Sequence, residues 1–260
     1  MEFNSELFFG NINYLLHVQD KRTGKFETEA GVKPGYMSRM SKDSKPGIDF
    51  IMKAADILGI SVDSLLKVNI SELNPTEKYF FDFMEKLKHD TDARKLNWEV
   101  ESADYLNRYA KNTCGGIMHP LFSEETFYIP EEDGYSREVT EIIFKSHTYE
   151  CNTSINRPCY NLRLKNGVMV YIMNIKLAWG TLSEINKSRV YEVWMHNPDI
   201  GGSRYIANSV VGSPLAEIIK SLYSSISEYN RCPKIPETLA HAIDAFMNDD
   251  MSDDEVEIPF

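Results

Sequence analysis

A chain of 260 residues can hold one large domain or two ordinary ones, and two is the expected arrangement. Its 42% hydrophobic and 26% charged content matches an ordinary soluble globular protein. The most apolar run, Val168 to Ile175, falls far short of the roughly 20 residues a membrane-spanning helix needs, so no membrane partner is expected. The opening MEFNSELFF has no basic start and no cleavage pattern, and the expectation is a cytoplasmic protein.

The net charge of −11 is unevenly spread. Between His17 and Lys53 stand eight bases and five acids, a window of +3, leaving 20 bases and 34 acids elsewhere, a net of −14. A basic island on an acidic chain points to a nucleic-acid-reading module joined to a body that does not touch nucleic acid. None of the four cysteines, Cys114, Cys151, Cys159 and Cys232, forms a C-x-x-C pair, so free thiols are expected.

In chain order, Ile12, Leu15 and Leu16 share one side of a helix expected over Leu7 to Lys21. A short second helix, Lys25 to Ala30, ends at Gly31, where a left-handed backbone is tolerated. A third follows, with Val32, Met37 and Met40 inward and Lys33, Tyr36, Ser38, Arg39, Ser41 and Lys42 outward. The breakers of SKDSKPG (Ser41 to Gly47) predict a loop, and Ile48 to Leu58 a fourth helix. Ser61 caps a fifth, containing Val62, Leu65 and Leu66.

Asn74-Pro75 opens a further helix with Phe80, Phe83, Met84 and Leu87 as its apolar stripe. Strands are expected from Thr126 onward, at Thr140 to His147, Tyr160 to Leu164, Val168 to Lys176, Arg189 to His196 and Ser203 to Val211, with a hairpin turn at Asn166-Gly167. A helix starting at Ser213-Pro214 carries Leu215, Ile218, Ile219, Leu222 and Ile226, and another runs from Pro236 to Asn248. The tail Asp249 to Glu257 has six acids and no base and is expected to stay unfolded.

The expected fold is an all-α five-helix helix-turn-helix domain followed by an α+β domain, an antiparallel meander with packed helices. The units are 1–70 for DNA binding, 71–95 as connecting helix and linker, 96–248 for sensing, dimerisation or partner binding, and 249–260 as acidic tail.

Gly31-Val32, Tyr36-Met37-Ser38-Arg39, Ala55 and the run Leu58 to Leu66 carry a resemblance to the Cro/lambda-repressor-type, or XRE-like, helix-turn-helix family. The resemblance covers the N-terminal quarter of the chain. It implies a sequence-specific transcriptional regulator, a repressor of mobile-element or phage-like origin, that binds double-stranded DNA as a homodimer. It also implies that Lys33, Tyr36, Ser38, Arg39 and Lys42 face the groove or its rims, with Lys45 on phosphate. Arg39 is the candidate for a base edge, because a guanidinium can bond guanine O6 and N7 together. Thr23 stands where the family has a phosphate-holding glutamine, and Glu27 where it has a small residue, which places an acid near the backbone-facing surface.

Other chemistries are less well written. No serine–lysine peptidase pattern appears, since Ser209, Ser213 and Lys220 suit a strand end, an N-cap and a helix surface. His119, His147, Cys151, Cys159 and His196 match no metal-ligand spacing. No enzyme activity, metal or cofactor is therefore expected. Trp179, Trp194, Tyr171, Tyr191 and Tyr205 read as core before they read as a ligand pocket. The alternative function is an anti-defence protein whose acidic C-terminal part occludes a nucleic-acid enzyme while the N-terminal part autoregulates.

Overall fold

Side-chain caps open three of the described helices. In the computed structural model, which describes residues 3–40, 45–101, 121–130, 135–148, 152–155, 158–177, 189–231 and 243, Asn4 accepts the Leu7 N–H and starts α1, Ser5–Val18. α1 buries Phe8, Ile12, Leu15 and Leu16 on one stripe. Two short helices follow, α2 (Thr23–Glu29) and α3 (Tyr36–Arg39). α4 (Ile48–Leu58) stops at Gly59, whose φ of 70° is the left-handed cap glycine adopts without steric cost. Ser61 Oγ accepts the Ser64 N–H and opens α5, Val62–Lys67.

After a 3-10 turn at Ile70–Glu72 comes α6, Pro75–Asp92. Asn74 and Glu77 exchange side-chain and backbone bonds across its first turn, and Pro75 occupies the first helical position, where a missing N–H costs nothing. The face of α6 that turns inward carries Phe81, Met84 and Leu87, with Phe80 and Phe83 half-buried at its edges. It packs on α7, Ala216–Arg231, the last helix described.

Among the described residues the sheet has eight strands, β1 (Glu99–Glu101), β2 (Phe122–Pro130), β3 (Ser136–Lys145), β4 (Asn152–Ile155), β5 (Cys159–Arg163), β6 (Met169–Leu177), β7 (Val190–Asn197) and β8 (Gly202–Asn208). All pairings are antiparallel. β6 is the hub. Ile172 registers with both Tyr160 of β5 and Val193 of β7, and Ile175 with both Ile155 of β4 and Val190 of β7. β5 and β4 therefore share one edge of β6 end to end, and β7 then β8 take the other. This branching replaces the expected meander, and it brings in three strands, β1, β2 and β4, that short or charged sequences concealed.

Alternation along β6 sends Val170 and Ile172 to the helix side and Tyr171, Met173 and Ile175 to a second cluster with Phe144 and Cys159. The first cluster is continuous. It runs from Phe8 and Ile12 through Ala54, Leu65, Phe81 and Trp98 to Tyr160, Val193, Ile219 and Leu222.

That continuity corrects the expected fold class. The first five helices do not make a self-contained all-α unit ahead of an α+β domain. With α2, α3 and α5 only 7, 4 and 6 residues long, they complete their core against α6, α7 and the sheet. Polar contacts reinforce the join. Ser221 of α7 donates to Asp63 of α5 at 3.1 Å, and Glu85 of α6 accepts from both the backbone N–H and the hydroxyl of Ser61 at 2.9 Å. Asn11 of α1 binds the Leu65 and Val68 carbonyls and the Ile70 N–H, so the segment after α5 is held to α1.

No helix among the described residues is long and apolar enough to cross a membrane. The helix expected at Pro236 to Asn248, but for position 243, and the acidic tail lie outside the described residues, as do Lys42, Cys114, His119, Cys151, Trp179 and Cys232.

Candidate nucleic-acid interface

The segment between α2 and α3 is built on two glycines in the left-handed region, Gly31 (φ 81°) and Gly35 (φ 82°). Between them lie Val32, Lys33 and Pro34. The Val32 N–H returns to the Glu27 carbonyl at 2.9 Å, which folds the chain tightly onto the end of α2.

Glu27 organises the rest. Only 2% of it is exposed, and its carboxylate accepts the Gly35 N–H at 2.6 Å and the Met37 N–H at 2.8 Å. Two backbone donors at the start of α3 thus meet a buried anion, and donors to an ionised acceptor make the stronger class of hydrogen bond. The sequence placed Glu27 near a phosphate-facing surface. It lies underneath instead and fixes the turn from within.

Aromatic packing holds the same piece from the side. The Tyr36 ring sits 4.9 Å from Phe50 of α4, and Phe50 in turn meets Phe26 and Phe8 edge-on. Tyr36 is half-buried, so its ring belongs first to this packing. Val32 and Met37 also pack against the core, while α3 itself makes a single turn and has no fully buried residue.

Lys33, Ser38 and Arg39 are exposed on the outer side, with Thr23 exposed at the start of α2 and Lys45 exposed just ahead of α4. Ser38 Oγ donates to the Gly35 carbonyl at 2.9 Å. The Arg39 guanidinium folds back toward the turn, donating to the Pro34 carbonyl at 3.4 Å and lying 3.7 Å from where a Cβ on Gly35 would stand. Turn geometry thus brings Ser38 and Arg39 together at Gly35, with Lys33 exposed earlier in the same turn.

The electrostatic setting of these cations differs from that of most other helix lysines. Lys25 pairs with Glu29, Lys67 with Asp63, Lys78 with Asp82, Lys86 with Asp90, Lys88 with Asp92 and Lys220 with Glu217. Among the described residues no carboxylate pairs with Lys33, Arg39 or Lys45.

The other candidate residues have structural partners. Ser209 Oγ accepts the Tyr191 N–H at 2.8 Å, and Lys220 is held by Glu217. Cys159 is buried against Asn174, His196 contacts Ser203, and His147 stacks on Tyr205 at 3.9 Å. Tyr171 and Tyr191 are buried, and Trp194 donates to Glu192. Glu192 is fully buried and also accepts from Ser146 and Thr148, which ties the turn after β3 to β7. Burial and the nearby Glu192 charge push the Tyr205 hydroxyl up to about 12, so it stays protonated near neutral pH.

No protein-family model matches the chain, and no curated protein or solved structure matches it.

Proposed function

We propose that this chain is a cytoplasmic transcriptional regulator, a repressor, that binds double-stranded DNA through the cationic face around the α2–α3 turn. One observation carries the reading. Lys33, Arg39 and Lys45 are exposed and unpaired by any described carboxylate on a chain of net charge −11, and Glu27 fixes the turn that presents the first two. Cations left free of internal partners can replace the counterions of a phosphate backbone.

Roles divide by chemistry. Lys33 and Lys45 are compact point charges that meet phosphates and set register. Arg39 has the planar fork that reads guanine in the major groove, and Ser38 beside it can donate to a base or a phosphate. Thr23 adds a hydroxyl at the start of α2. One copy offers few contacts, so two copies on a palindromic site supply the affinity a regulator needs.

The test is a titration of the purified chain against DNA from upstream of its own gene, with unrelated DNA as competitor. Sequence-preferring binding that weakens in Lys33→Ala/Arg39→Ala supports the reading. Absence of sequence preference in the wild-type chain refutes it.

A further inference from the structure

The turn has a second cationic neighbour that comes from elsewhere in the chain. Lys53 is exposed on α4, and its Nζ stands 2.9 Å from where a Cβ on Gly31 would be. Asp49 sits four residues before it on the same helix, exposed, in the orientation that favours a helical ion pair. Lys53 does not make that pair. On α6, by contrast, Lys78, Lys86 and Lys88 each bind the aspartate four residues on. The Lys53 ammonium is directed over the turn.

The arrangement repeats. Gly31 lies under Lys53, and Gly35 lies under Arg39 with the Ser38 hydroxyl beside it, each glycine at positive φ. Bare backbone beneath a cation lets a bulky anion approach closely. From these contacts we infer that Lys53 is a third phosphate-binding lysine of this face and completes a site for the phosphodiester backbone of duplex DNA. The inference rests on the DNA-binding reading above. An ammonium has no planar fork, so Lys53 contributes affinity and register and leaves base preference to Arg39.

The experiment measures binding of a labelled mixed-sequence duplex over a range of salt concentrations. The samples are the wild-type chain, Lys53→Met, Lys53→Arg, and Lys88→Met as a control from the paired lysines of α6. The expected result is a log–log salt slope lower by roughly 0.9 in Lys53→Met, with no change in Lys53→Arg or Lys88→Met. The ratio of specific to non-specific affinity stays constant. Thermal melting confirms that each variant is folded. A wild-type slope in folded Lys53→Met overturns the inference and leaves the DNA-binding reading standing. A wild-type chain that binds no DNA at any salt overturns both.

Discussion

The α2–α3 turn and helix α6 both carry basic side chains, and they handle charge in opposite ways. On α6 the cations are spaced so that Lys78, Lys86 and Lys88 each meet an aspartate one helical turn later. These pairs stabilise the helix surface by about 0.3–0.5 kcal/mol each, and they offer an incoming anion little net charge. Around the turn Glu27 is buried and committed to the Gly35 and Met37 N–H groups, Glu29 pairs with Lys25, and Lys33, Arg39 and Lys53 have no carboxylate partner among the described residues. The same residue types therefore give a neutralised face in one place and an unneutralised one in the other. Spacing and burial decide the difference; composition does not.

The contrast can be broken most severely by discharging the turn. Replacing Lys33, Arg39, Lys45 and Lys53 together with alanine removes three phosphate contacts and the base-reading guanidinium, and lowers the salt slope of DNA binding by about 2.7, at roughly 0.9 per phosphate contact. Equilibrium binding across a salt series measures it. The matching change on α6, Lys78, Lys86 and Lys88 to methionine, leaves that slope unchanged.

Next in size is Glu27→Ala. It strands two partly buried N–H donors; a fully buried one costs about 1–3 kcal/mol when unsatisfied, so denaturant melts should show a loss of about that size. DNA affinity falls as well, because the piece that presents Ser38 and Arg39 loses its anchor. Wild-type stability in this variant removes Glu27 from the account.

A smaller effect comes from Asp63. The Lys67 ammonium bonded to it, aided by the Ser221 hydroxyl, holds its carboxyl below the usual carboxylate range despite partial burial. A depressed carboxyl contributes stability above its unfolded pKa, and that contribution is lost as pH falls through the folded value. Asp63→Asn should cost under about 1 kcal/mol at neutral pH, since the pair is partly exposed and screened. Melts of the two proteins should converge in acid, and a gap that persists there would deny the charge its role. The smallest effect belongs to Lys88→Met, which should move stability by no more than about 0.5 kcal/mol.

Much of the helical half is legible before folding, because helix ends are local events. Asn74-Pro75, Ser61 and Gly59 mark boundaries through capping bonds that involve only neighbouring residues. α4 runs over the range its periodicity indicates, and Leu215, Ile218, Ile219, Leu222 and Ile226 are all buried as their stripe implies. The limits are non-local. Phe81 rather than Phe83 is buried on α6, because α7 and the sheet choose the angle at which that helix is seated. The branching at β6 depends on pairing partners far apart in sequence. The same limit hid the continuous core that makes the first five helices part of a larger α+β body.

At the site, the outward charge of Arg39 follows from helical spacing and its exposure agrees with it, whereas Lys33 is exposed on the turn before α3 rather than on a helix. Glu27 does not read as buried, since an acid in a short polar helix looks like surface. A cue was nevertheless present, because two glycines at positions 31 and 35 require a tight turn whose N–H groups need an acceptor. Lys53 carried no such cue, as only folding sets α4 beside Gly31.

The central claim is that an unneutralised cationic turn binds duplex DNA. The most direct measurement is the affinity of the wild-type chain and of Lys33→Ala/Arg39→Ala for its upstream DNA at several salt concentrations. The account predicts steep salt dependence in the wild-type chain and, in the double variant, a slope lower by about 0.9 from the lost Lys33 phosphate contact, with sequence preference lost along with Arg39. Equal slopes for the two proteins, or no salt-dependent binding by either, would contradict it.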